Sequence, residues 1–173
     1  MGIQNYFIDK RIAAVLKKTN KNSNVEVLSE ILRVAIFVDE QSTFNEEKFR
    51  ELQEIIDLDE THFSILTFKE KKASYNEFRG TVLFSNEINW QGKITSKDVR
   101  SYIKKPYDLL IDYTQEDSLT RQLVIAQIVA KMKVGFSEKK KLFYDLLISV
   151  SPKEIDLFNK ELVRYLKILK LLE

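Results

Sequence analysis

Cysteine is absent from these 173 residues. That removes disulfides, zinc–thiolate sites and thiol nucleophiles together. Glycine is scarce: Gly2, Gly80, Gly92 and Gly135 stand too far apart to build a Gly-x-Gly-x-x-Gly turn or a Walker loop. The common glycine cradles for nucleotide phosphates are therefore excluded. Histidine occurs once, at His62, with no nucleophile-elbow sequence beside it, so a catalytic triad finds little support. No apolar run approaches the ~20 residues of a membrane span. The first twenty residues mix charged and apolar positions and lack the apolar stretch of a signal peptide. Tyr6 stands where a myristoylation signal needs Ser or Thr. The chain reads as a soluble, cytoplasmic protein.

A strong charge of one sign is also missing, since 28 basic residues face 26 acidic ones. The distribution is uneven. Residues 1–24 hold Lys10, Arg11, Lys17, Lys18 and Lys21 against Asp9 alone, five against one, so this arm is +4 and the remainder −2. A basic arm can serve nucleic acid or an anionic membrane. However, Ile8, Ile12, Val15 and Leu16 form one apolar stripe, and no aromatic residues interleave the lysines as base stacking requires. The arm is expected to be a docked amphipathic helix, which argues against a nucleic-acid partner. The division expected is an arm over 1–24 and one α/β domain over 25–173.

What is present is a repeated strand. Tyr107-Asp108-Leu109-Leu110-Ile111 returns as Tyr144-Asp145-Leu146-Leu147-Ile148. Short, nearly continuous apolar runs followed by helix starts belong to a parallel sheet covered on both faces. Further strands are expected at 32–38, 62–68, 81–84 and 133–136. Between them lie a helix capped by Asn45, an exposed loop at 69–79, a turn-rich segment at 86–93 and a short helix ending at Lys104. Residues 117–131 read as one helix, apolar almost all round, which leaves room for a monomer or a homodimer. The last helix is expected to start at Ser151-Pro152-Lys153-Glu154, with Ser151 as N-cap. The sum is a three-layer α/β sandwich with five or six mostly parallel strands.

In such sheets ligands sit at the carboxyl ends of the strands, where strand order reverses. Two strands end there in acids, at Asp39-Glu40 and at Asp112. The run Asp39-Glu40-Gln41-Ser42-Thr43 resembles the haloacid dehalogenase nucleophile motif, but Gln41 replaces its second aspartate. Glu40, Asp112, Glu116 and Asp117 are oxygen ligands that could suit Mg²⁺; the same acids also complement helix N-termini. They assign neither a catalytic residue nor a metal or cofactor.

Asn89-Trp90-Gln91-Gly92-Lys93 holds the only tryptophan. Gly92 permits a positive-φ turn, and Trp90 serves either as a lid on the core or as a partner contact.

Two resemblances follow from these residues. Residues 107–136, closing on Val134-Gly135-Phe136, resemble a strand–helix–strand unit of heptosyltransferase-type glycosyltransferases, which implies a Rossmann-like fold. The runs 34–39, 89–93, 107–112, 133–136 and 144–148 together resemble a family of small uncharacterised Bacteroidota proteins, with Asn89-Trp90-x-Gly92 as landmark. That resemblance implies a bacterial cytoplasmic protein and no known activity. The expected function is a binding or interaction protein for a protein or small-molecule partner, with Asp39, Asn89, Trp90, Lys93 and Asp112 as its recognition surface. The alternatives are a metal-dependent hydrolase or transferase at the acidic strand ends, or RNA association through the basic arm.

Overall fold

The computed structural model describes residues 3–22, 28–40, 46–70 and 80–173. The chain runs through α1 (Ile3–Asn22), β1 (Val34–Asp39), α2 (Glu46–Ile56), β2 (Phe63–Lys69) and β3 (Thr81–Phe84). It continues through α3 (Lys97–Lys104), β4 (Tyr107–Asp112), α4 (Leu119–Gln127), β5 (Ala130–Phe136), β6 (Leu146–Ile148) and α5 (Ile155–Ile168). The six strands form one sheet in the order β3-β2-β1-β4-β5-β6. Every pairing is parallel.

Strand alternation divides the core. Val34, Ile36 and Val38 of β1 join Leu109 and Ile111 of β4 beneath α2 and α5, with Leu52, Phe158 and Leu162. Ala35 and Phe37 join Leu110 on the other face, under α3, α4 and α1, with Tyr102, Leu123 and Ile8. Because β1 and β4 are apolar on both faces, they read as unbroken runs in the sequence. α1 is docked as its stripe requires: Ile8 and Ile12 are buried, and Val15 and Leu16 pack beside them. It lies along α4, which is why α4 is buried over Arg121–Ala126.

The repeated strand motif has a structural cause. The Asp108 carboxylate accepts the Leu32 and Arg33 N–H groups at 3.0 and 2.9 Å, pinning the entry to β1 beside β4. The Asp145 carboxylate accepts the Lys133 N–H at 2.8 Å, pinning β5 beside β6. Each copy thus ties the start of one strand to its parallel neighbour, where a one-residue slip would turn every side chain to the wrong face.

Several boundaries differ from the sequence expectation. The first strand begins at Val34 rather than residue 32. The run 117–131 is two elements: α4 ends at Gln127 and β5 starts at Ala130. A buried helix and a buried strand have the same apolar pattern, so periodicity could not divide them. α4 is capped by Ser118, whose Oγ accepts the Arg121 N–H at 3.4 Å. α5 begins at Ile155, and Ser151–Glu154 form a turn closed by the Glu154 N–H on the Ser151 carbonyl at 2.9 Å. Lys69, expected in an exposed loop, is the last residue of β2 and only 3% exposed. Asn45 and the rest of that loop, 71–79, lie outside the described residues.

Candidate functional site

β1 and β4 are neighbours whose onward connections leave to opposite sides, so the switch point falls at their carboxyl ends. Strand alternation turns Asp39 and Asp112, like Phe37 and Leu110, toward the α4 face. Both carboxylates are 1% exposed. What meets them comes from the chain itself.

Asp112 Oδ1 accepts the Thr114 N–H at 2.9 Å. Its Oδ2 accepts the Tyr144 hydroxyl at 2.5 Å and lies 3.3 Å from Lys139 Nζ. Lys139, itself buried, also donates to Thr114 Oγ1 at 2.6 Å. Asp39 Oδ2 accepts the Gln115 N–H at 2.8 Å and faces Arg121 Nε at 3.6 Å. The Arg121 guanidinium stands 4.8 Å from the Phe68 ring centroid, and its Nη1 donates to Glu116 at 2.9 Å and to Ser118 Oγ at 3.0 Å. Burial, reinforced by the Asp112 charge, pushes the Tyr144 hydroxyl far above the usual tyrosine range, so it stays protonated and donates.

Gly135 makes this last contact possible. A Cβ there would lie 2.7 Å from Tyr144 Cε1, so the ring can cross β5 toward Asp112 only over a glycine. The edge is thus an internal network in which buried carboxylates are matched by buried cations, and unpairing either ion would be costly.

The Asn89–Lys93 turn lies elsewhere, against α1. Asn89 Oδ1 accepts the Gln91 and Lys93 N–H groups at 3.0 and 2.9 Å, and the Gly92 N–H closes on the Asn89 carbonyl at 2.8 Å. Asn89 shapes the turn. Gly92 sits at φ +71°, and a Cβ there would meet Arg11 Cδ at 3.2 Å and Leu123 Cδ2 at 3.4 Å, so this tight spot suits a glycine.

The turn holds Trp90 55% exposed, with its ring edge-to-face on Phe7 at 5.0 Å. Phe7 in turn meets Tyr6 edge-to-face at 5.7 Å, and Lys10 Nζ lies 4.6 Å from the Tyr6 ring centroid. Tyr6 is 54% exposed. Three rings therefore form a continuous aromatic strip, bordered by exposed Lys10 and Lys93.

Of the five residues expected to share a surface, Asp39 and Asp112 come together at the switch point. Asn89, Trp90 and Lys93 come together on α1. The described contacts do not join the two groups. Sequence reasoning passed over Arg121, Lys139 and Tyr144 in the first group and Tyr6 and Phe7 in the second. Arg121 was legible as a charge set in an apolar helix, and Tyr144 as the first residue of a repeat. Lys139 in its charged turn carried no signal.

An all-parallel sheet in the order 3-2-1-4-5-6, with helices on both faces and acids closing its two central strands, defines a Rossmann-like α/β protein. Within that class, residues 4–169 match the model of a family of unknown function (DUF6913), and the chain belongs to this family. No curated protein and no solved structure matches the chain. Among the described residues no helix is long and apolar enough to cross a membrane.

Proposed function

We propose that this is a binding protein that recognises an acidic protein partner through the strip of Tyr6, Phe7 and Trp90, with Lys10 and Lys93 at its border. The observation that carries the reading is the half-exposed Trp90, held on Phe7 by a turn that Asn89 and Gly92 fix in shape. Large rings held rigid at a surface are the usual anchors of protein interfaces. Basic residues at the rim supply charge complementarity to an acidic partner. The rings meet one another edge-on, and the Lys10 ammonium lies over Tyr6. Sequence-tolerant binding of single strands needs open ring faces instead, which favours protein over nucleic acid.

Asp39 and Asp112 serve this reading by locking the sheet beneath α4. Their oxygens already face Arg121 and Lys139, which supports a structural role over hydrolysis. The absence of cysteine fits a cytoplasmic setting, where thiols stay reduced and disulfides are rare.

A photo-crosslinker at Lys93 tests the proposal. It should trap a protein that a crosslinker at Lys160, on exposed α5 surface, does not, and Trp90→Ala should abolish the adduct. Trapped RNA would replace the reading with a nucleic-acid one. No site-dependent adduct would refute it.

A further inference from the structure

At the opposite end of the sheet, β3 pairs with β2 only from Leu66 onward, so Phe63, Ser64 and Ile65 have β1 on one side and no β3 residue on the other. A cavity of about 260 Å³ opens there between α2 and α3. Its apolar wall is Phe49, Phe63 and Ile65, and its polar groups include the Thr81 hydroxyl and the Lys105 ammonium. Neither has a hydrogen-bond or ion-pair partner among the described residues, whereas the hydroxyl of Ser64, also on the lining, is hydrogen-bonded to Tyr107. Tyr102 closes the inner wall with its hydroxyl on the Ile36 and Ser64 carbonyls at 2.9 and 3.1 Å. Gly80 forms the rim at φ +124°, where a Cβ would come within 2.7 Å of the Ile65 carbonyl oxygen. Arg50 and Glu60 also line the space and offset each other in charge, so Lys105 leaves the mouth net positive.

An apolar wall with a few convergent polar groups is the usual form of a small-molecule site. We infer that this cavity binds a small molecule with an apolar body of one or two aromatic ring systems and a single acidic group. The body would lie on Phe49, Phe63 and Ile65, and the acid would meet Lys105 and the Thr81 hydroxyl. The site is separate from the aromatic strip and does not depend on it.

The test uses the full chain and two fluorescent probes. One is 8-anilinonaphthalene-1-sulfonate, which has the stated rings and acid; the other is N-phenyl-1-naphthylamine, the same rings without the acid. The sulfonate should bind saturably at one site per chain and at least tenfold tighter than the neutral probe. Lys105→Glu should weaken it at least tenfold, Lys105→Arg less than threefold, and Lys153→Glu not at all. Thermal melts of each variant confirm that the native state is being compared. Non-saturable binding, equal affinity for the two probes, or sulfonate binding indifferent to Lys105→Glu would overturn the inference.

Discussion

Gly135→Ala should be among the most damaging single-methyl additions to this protein, and the damage should pass through one ring. Gly135 has no positive φ to protect, so alanine fits its backbone. The added Cβ would stand 2.7, 3.0 and 3.2 Å from three atoms of the Tyr144 ring, inside van der Waals contact. Overpacking of this kind costs about 1–3 kcal/mol. A ring pushed off β5 also loses its 2.5 Å bond to the buried Asp112, and a hydrogen bond to a charged group contributes about 1.5–3 kcal/mol. Against these stands the reduced freedom of the unfolded chain when glycine becomes alanine, about 0.4–1 kcal/mol. The net is a loss of about 3 kcal/mol, or a Tm lower by roughly 6–12 °C for a chain of this length.

Urea unfolding of four proteins reads it: wild type, Gly135→Ala, Tyr144→Ala and the double variant. In the Tyr144→Ala background the added methyl should be neutral or slightly stabilising, which gives a coupling of about 3 kcal/mol. Tyr144→Phe alone should isolate the hydrogen-bond share. An equal cost of Gly135→Ala in both backgrounds, or a cost below about 0.5 kcal/mol in the wild type, would refute the reasoning.

Asp112→Ala leaves Lys139 buried without its carboxylate and should cost about 3–5 kcal/mol, whereas adding Lys139→Met to it should recover part of the loss in the same assay. Asp108→Ala frees two N–H groups and should cost about 2 kcal/mol, more than Asp145→Ala, which frees one. Lys133 donates to the Ile125 carbonyl at the end of α4 at 2.7 Å, and burial pushes its ammonium down to about 8 although Asp145 opposes the shift. Its folded pKa lies below the unfolded one, so the unfolded chain holds the proton more firmly between the two. Stability relative to Lys133→Met should therefore rise, by about 2 kcal/mol, from pH 8 to pH 10; a flat difference would contradict the assignment.

The fold was legible because its two central strands are apolar on both faces and because Tyr-Asp-Leu-Leu-Ile occurs twice. The sequence did not say why the aspartates recur. Only the parallel pairings show that Asp108 and Asp145 hold the neighbouring strands in register. The join between α4 and β5 was hidden because Ile128-Val129-Ala130 suits either element. For the candidate site, position along a strand was enough to bring Asp39 and Asp112 to the switch point, since chain ends of neighbouring strands must meet there. It was not enough to show that Arg121 and Lys139 answer them, because those cations arrive from a helix and a turn 82 and 27 residues onward. The Trp90 strip was half legible. The turn chemistry of Asn89 and Gly92 is local, but Phe7 comes from α1, and only tertiary packing puts the two rings together.

The central claim is that Trp90 and Tyr6 lie under a partner in the cell. Hydroxyl-radical footprinting, run on the purified protein and inside the cells that make it, measures this directly. Both rings are half exposed and should oxidise readily in the purified chain. In the cell both should be protected, while exposed Tyr165 on α5 oxidises equally in the two samples. Equal oxidation of Trp90 in and out of the cell would contradict the account.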